Sequence, residues 1–319
     1  MRVLVTGAAG FIGSHLTNEL AGAGKEVWAV DSLTPYYARE TKQRNLAFAN
    51  NPNVHFEERT VGSIVPEELG GVEAVFHLAA QPGVRGSWRD FATYLHLNLD
   101  ETNSLLRSCV GAGVPRLVFA SSSSVYGGEV EYPTKESSTP SPRSPYGVTK
   151  LAGENLIRAH ALGTDMTALA LRFFTVYGPG QRPDMATQRL IRAAIDGASF
   201  TLLGDGSQRR DFTYVSDIVR ACVQAGSAII NEPFLAVNVG GTGDVSMLEL
   251  IELVESSSGK AIDVRHASSQ RGDVTRTGAD GSLARLVLDW VPATPLQFGV
   301  ASQVRFELNP TEEAWIAKV

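Results

Sequence analysis

Cysteine is scarce in this sequence: Cys109 and Cys222, far apart, are the two present among 319 residues. Such thiols are no disulfide framework, and as buried free groups they predict a reducing cytoplasm. No apolar run approaches the roughly 18–20 residues that a bilayer span needs, so no membrane partner is expected. Nor is there a basic cluster. Acidic residues number 34 against 28 basic ones, for a formal charge of −6 and a pI near 5.6, which argues against nucleic acid as the main partner. The six histidines, His77 and His96 among them, lack metal-ligand spacing, and no metal site is expected. The opening MRVLVTG already reads as a strand, which leaves no signal peptide to expect.

The remainder, 43% hydrophobic and 19% charged, suits one large or two coupled globular domains. Val3-Leu4-Val5, Val27-Trp28-Ala29-Val30, Ala74-Val75-Phe76-His77-Leu78 and Leu117-Val118-Phe119-Ala120 are short, almost wholly apolar runs. Strands of that kind are covered on both faces, hence parallel and flanked by helices. Helical patterns at 11–23, 89–112 and 146–162 lie between or after them. The alternation predicts an α/β class with a Rossmann-like, doubly wound parallel sheet over residues 1–172. Beyond it, glycine and proline clusters break the pattern, and helical periodicity returns at 246–256 and 282–288. Residues 173–319 read as a smaller C-terminal α/β substrate lobe. It is expected to be discontinuous, returning short segments near 212–240 to the first domain. Trp88, Trp290 and Trp315 read as packing groups, and the tail from about Asn309 is the least readable part.

The first strand runs into Gly7-Ala8-Ala9-Gly10-Phe11-Ile12-Gly13. Glycines there allow a tight turn and a close backbone approach to a pyrophosphate, and the following helix aims its first amides at the phosphates. The spacing is G-x-x-G-x-x-G rather than the standard G-x-G-x-x-G. Asp31, ending the second strand, can accept both hydroxyls of an adenine ribose and would repel a 2′-phosphate, which favours NAD over NADP.

Serines Ser121, Ser122, Ser123 and Ser124 end the strand at Leu117–Ala120, and Ser144-Pro145-Tyr146-Gly147-Val148-Thr149-Lys150 follows. Proline suits a first helical turn, so Tyr146 and Lys150 share one helix face. A phenol with a pKa of about 10 is a poor base at neutral pH. A neighbouring ammonium would stabilise the phenolate, and a serine hydroxyl could share the substrate's proton.

These features in series resemble the extended short-chain dehydrogenase/reductases, specifically the nucleotide-sugar epimerases. GAAGFIG, the serine strand, Tyr-x-x-x-Lys, RRDFTYVSDIV and DWVPATPLQFGV stand in that family's order over about residues 1–305. The resemblance implies a firmly held NAD, with Gly7, Gly10, Phe11, Ile12, Gly13, Asp31, Ala79, Asn98, Tyr146 and Lys150 around it. It implies a UDP-sugar substrate, with Ser122 and Tyr146 serving the sugar hydroxyl and Lys150 the nicotinamide ribose. Arg210 matches a diphosphate-binding arginine. Arg271 and Asp273 fall in a segment that holds a second arginine and an aspartate on the uridine ribose, although Gln270 stands at the usual arginine position. Relatives often carry an aspartate near Ser63 that touches adenine, and this chain does not. Pairing of two copies through 89–112 and 146–162, a homodimer, is implied by the same analogy.

Sugar 4,6-dehydratases carry Asp-Glu, and decarboxylases a glutamate, just before the Val-Tyr-Gly turn; here Ser123-Ser124 precede Val125-Tyr126-Gly127. Without that carboxylate, elimination lacks its acid and base, and 4-epimerisation remains. HLAAQPGVR, with Arg85, and RFFTVYGPGQRPDMA are similar to segments of UDP-glucuronate 4-epimerases, whose second segment has Trp-Gly where Gly180-Gln181 stand here. Thr175 and Arg182 could clamp a C6 carboxylate, and a neutral C6 hydroxyl would leave a buried arginine unpaired. UDP-glucuronate is therefore the expected substrate. UDP-glucose or UDP-galactose, a reductase that releases NADH, and an inactive NAD-binding scaffold remain as alternatives.

Overall fold

The computed structural model of the chain describes residues 1–128, 131–241, 243–268 and 274–316. Elements run in the order β1 (Arg2–Thr6), α1 (Phe11–Gly22), β2 (Glu26–Asp31), α2 (Arg39–Phe48), β3 (Val54–Glu58) and β4 (Val72–His77). Next come α3 (Phe91–Leu95), α4 (Glu101–Gly111), β5 (Arg116–Ser122), α5 (Pro145–Leu162), β6 (Thr167–Phe173), β7 (Thr175–Tyr177), α6 (Ala186–Asp196), β8 (Ser199–Leu203) and β9 (Arg209–Tyr214). The chain continues through α7 (Val215–Ser227), β10 (Phe234–Val239), β11 (Asp244–Ser246), α8 (Met247–Ser258), β12 (Asp263–Ala267), α9 (Ser282–Leu288), α10 (Leu296–Leu308) and α11 (Glu312–Ile316).

Seven strands form one sheet in the order β10-β6-β5-β4-β1-β2-β3, with parallel pairing throughout. Alternation along each strand explains why its apolar run is continuous. Val3 and Val5 enter one core and Leu4 the other; Phe76 and Val118 follow the first pair, Val75 and Phe119 the second. Both faces are buried under helices, as a parallel sheet requires. From β1 the chain winds outward to β2 and β3, then returns to β4 on the other side, so the ends of β1 and β4 flank a topological switch point where ligands bind. After the excursion through β7, α6, β8 and β9, β10 comes back to pair with β6. Two small sheets, β11-β9-β7 and β12-β8, lie outside the large one.

Local signals set the helix starts that matter. Ser144 caps α5, accepting from the Gly147 amide at 3.1 Å, and Pro145 takes the first turn. Ser246 and Glu249 form a reciprocal capping box on α8, which ends at left-handed Gly259. The helix expected over 89–112 runs without a gap from Phe91 to Gly111, with a π-helical turn, His96–Asp100, between α3 and α4 that carries Asn98. Trp290 and Trp315 are buried as expected, whereas Trp88 is 45% exposed and is not a core group.

Candidate active site

A single cleft of about 940 Å3 runs from the glycine turn across the ends of the parallel strands to β9. Gly7, Gly10, Phe11, Ile12, Gly13, Asp31, Ala79, Arg85, Ser122, Ser123, Ser124, Tyr146, Lys150, Thr175, Arg182 and Arg210 all line it. Asn98 stands behind the wall rather than in it. Its side chain accepts from the Gln81 amide at 2.6 Å and donates to Thr149 Oγ1 at 3.0 Å, tying the loop after β4 to α5. Arg271 and Asp273 lie outside the described residues.

The glycine turn suits a pyrophosphate. A Cβ on Gly13 would sit 2.0 Å from the Gly7 carbonyl oxygen, so side chains are excluded where the turn and α1 press together. Asp31 accepts from the Ala9 amide at 3.1 Å and the Leu33 amide at 2.7 Å, one bond per oxygen, and keeps lone pairs for ribose hydroxyls. Bare backbone, helix amides and a buried carboxylate match a dinucleotide's diphosphate and ribose. Sequence reading missed Lys42. It arrives from α2, lies buried 3.5 Å from Asp31, and lines the same end of the cleft. Its signal was weak, since α2 is a polar helix. Ser63 is exposed and donates to the Thr60 carbonyl, whereas Val61 lines the cleft.

At the sugar end, Ser122 Oγ accepts from the Ser124 amide at 3.1 Å, and its hydroxyl lies on the Tyr146 side of the cleft. Burial pushes the Tyr146 phenol's pKa up, while the Arg182 charge and the Ser122 hydroxyl pull it back. The expected cation was Lys150. Its ammonium instead donates to the Ala120 carbonyl at 2.8 Å, over the Phe119 ring, and burial brings it down to about 7 against the opposing charge of Glu154. Arg182, from the loop after β7, brings a second cation to the same end of the cleft.

Below the serines lies a buried polar network. Glu154 takes a two-pronged ion pair from Arg172 (3.0 and 2.7 Å) and a 2.5 Å bond from Ser121, and Arg172 reaches the Tyr126 hydroxyl at 2.7 Å. It fixes the end of β5 against α5 and β6. His77 is a satisfied core histidine. Thr102 gives its proton to the Asn98 carbonyl, so His77 Nε2 must donate to Thr102 Oγ1, and Nδ1 accepts from Thr6. Burial keeps that ring neutral, its pKa pulled to about 3. Among the described residues no group of His, Cys, Asp or Glu could hold a metal ion.

The two residues that set the sugar loop apart both meet the C-terminal helices. Gly180 has φ +74°, and a Cβ on it would lie 2.3 Å from the Trp315 ring of α11. Trp315 also stacks on His15 of α1, with centroids 3.9 Å apart, while His15 Nε2 donates to the Pro179 carbonyl at 2.9 Å. Buried Gln181 donates to the Val176 carbonyl and accepts from Gln303 of α10 at 3.0 Å; Gln303 in turn accepts from the Gly178 amide. The loop's shape is thus held by the tail.

Arg182 is not unpaired. Its Nε and Nη2 meet the two oxygens of Asp184 at 3.0 and 3.1 Å. The expectation that a neutral sugar would strand this arginine fails, because a carboxylate two residues on already satisfies it.

Residues 3–240 match the NAD dependent epimerase/dehydratase family. The chain belongs to that family. A Bacillus subtilis (strain 168) relative, described as an uncharacterized UDP-glucose epimerase, YtcB, is 40% identical over 317 residues, covering 96% of this chain and 98% of its own. MoeE5, solved in complex with UDP-glucose and NAD, superposes with a TM-score of 0.88 at 42% identity over 97% of this chain and 99% of its own. It was also solved with UDP-glucuronic acid and NAD, again at a TM-score of 0.88. UDP-glucuronic acid 4-epimerase from Bacillus cereus, solved with UDP-glucuronic acid and NAD, gives a TM-score of 0.91 at 36% identity, covering 96% of this chain and 99% of that one.

Proposed function

We propose that this epimerase-family chain interconverts UDP-glucuronate and UDP-galacturonate by NAD-dependent epimerisation at C4, through a transient 4-keto sugar. The observation that carries the reading is the meeting of Tyr146, Ser122 and Arg182 in one cleft with the glycine turn and Asp31. NAD, when bound, supplies a reversible hydride acceptor for C4. Gly7, Gly10, Phe11, Ile12 and Gly13 would hold its diphosphate, Asp31 and Lys42 the adenine ribose, and Lys150 the nicotinamide ribose. Tyr146 takes the proton of the sugar 4-hydroxyl and later returns it. Ser122 shares that hydrogen bond, and the Arg182 charge favours the phenolate. Arg210 would grip the diphosphate of UDP, while Arg85, Ser123, Ser124 and Thr175 surround a hexose that must turn over between the two half-reactions. Arg182 and Thr175 would hold the C6 carboxylate out of line with the C4 carbonyl, because a β-keto acid otherwise loses carbon dioxide.

Incubation with UDP-glucuronate and no added cofactor tests the reading. The expected product is the 4-epimer, with no net NADH and no UDP-pentose. Stoichiometric NADH would favour a reductase, and failure to retain or take up NAD would end the proposal. UDP-glucose is the second reading, favoured by the Arg182–Asp184 pair.

We further propose a homodimer joined through α3, α4 and α5, where Leu95 and Val148 are exposed, with light scattering as the check. A division into 1–172 plus 212–240 and the remaining lobe is supported by the return of β10 to the large sheet. A cytoplasmic setting is supported by the free, buried Cys109 and Cys222.

A further inference from the structure

We propose that Asp184 levels this chain's affinities for charged and neutral sugars, as the built-in counter-ion of Arg182 that a C6 carboxylate must displace or share and a C6 hydroxyl need not. The inference rests on the epimerase reading above. Arg182, Asp184, Thr175 and Tyr146 line the same stretch of cleft. Asp184 occupies the Nε–Nη2 edge of the guanidinium with both oxygens, a fork-to-fork pair, and the remaining Nη2 direction meets Met185 Sδ at 3.3 Å. Tyr36, from the loop after β2, steadies the pair by donating to Asp184 Oδ2 at 3.3 Å.

An incoming uronate has two options. It can take the Nε–Nη2 edge, leaving Asp184 with Tyr36 and solvent, or it can use the Nη1 side and place two carboxylates on one cation. Either way the Asp184 charge counts against it. A hexose presents no charge to Arg182, which keeps its partner and pays no desolvation for an unmatched cation. The aspartate thus levels the affinities of the two substrates, and removing its charge should tilt the site toward the uronate.

The test is the ratio of KM values for UDP-glucuronate and UDP-glucose, with product analysis giving kcat for each. Both sugars use Tyr146, so any change in the phenol cancels in the ratio of rates. In the wild type the two KM values should agree within about tenfold. In Asp184→Asn the ratio should shift about tenfold toward UDP-glucuronate, carried in KM rather than in relative kcat, while the Kd of UDP alone stays put. Asp184→Ala removes the same charge and should shift the ratio in the same direction. The proposal is overturned if the wild type rejects UDP-glucose by about a thousandfold, or if folded variants keep the ratio within about twofold. Calorimetric Kd values for both UDP-sugars judge Asp184 even if no turnover is seen, which separates its failure from failure of the epimerase reading.

Discussion

The two ends of the cleft are shaped by opposite means. At the glycine turn, space is made by leaving side chains out: Gly13 presses on the Gly7 carbonyl and bare backbone faces the cavity. At the sugar loop, space is filled from a distance. Trp315 seats against Gly180, and Gln303 holds both Gln181 and Gly178. A pyrophosphate needs close backbone and amide dipoles, which a local turn provides. The sugar loop instead has a wall placed by tertiary packing, which can change without disturbing the cofactor end. His15 joins the two, since it belongs to α1 yet touches both Trp315 and Pro179.

Substitutions can break this contrast. Tyr146→Phe, acting where the two ends meet, should lower the epimerisation rate by about 10²–10⁴-fold with NAD retention and melting little changed. Loss of NAD in that variant would mean the phenol is structural. Gly13→Ala should cost about 3 kcal/mol or more and release NAD, because its new methyl meets backbone that cannot move aside. A variant that keeps NAD and loses only sugar affinity would reverse the contrast. Trp315→Ala should be milder, about 2–3 kcal/mol for a group at a short terminal helix, and should raise the KM for the UDP-sugar more than it lowers NAD content.

The smallest expected effect is a pH dependence. Burial lowers His15 to about 4, against the raising effect of its bond to Pro179. Its folded pKa is below the unfolded value near 6.5, so the unfolded chain takes up the proton first. Its contribution is therefore full above pH 6.5 and is lost as the pH falls toward 4, amounting to about 2 kcal/mol by pH 5. Denaturant melts at pH 7 and pH 5 should differ less in His15→Phe than in the wild type. An equal difference would show that the latch is insensitive to this ring.

Legibility followed the reach of the interactions. The strands Val3–Val5 and Leu117–Ala120, the glycine turn, the capped α5 and the acid ending β2 each announce themselves within a few residues. A parallel sheet, a tight turn and a helix start depend on short-range pattern and backbone geometry. β3 carries no apolar run because its residues after Val54 are exposed and, Phe56 apart, polar, as befits an edge strand. Lys42 lay hidden on a polar helix, and Asp184 looked like part of a motif rather than the partner of Arg182. Lys150 illustrates the limit from the other side. Spacing put it on the phenol's helix face, but its ammonium turned to the Ala120 carbonyl.

Periodicity, turn chemistry and motif order by themselves determined the α/β architecture, the cofactor end of the cleft and the trio Ser122, Tyr146 and Lys150. Tertiary structure alone decided where the Lys150 ammonium donates, what satisfies Arg182, and how Gly180 and Gln181 are accommodated. Each of those outcomes depends on a contact with a side chain or ring whose neighbour in space is not fixed by its neighbours in the chain. Electrostatics and packing at the sugar end act across the folded molecule, and only the fold brings α1, the loop after β7 and the C-terminal helices together.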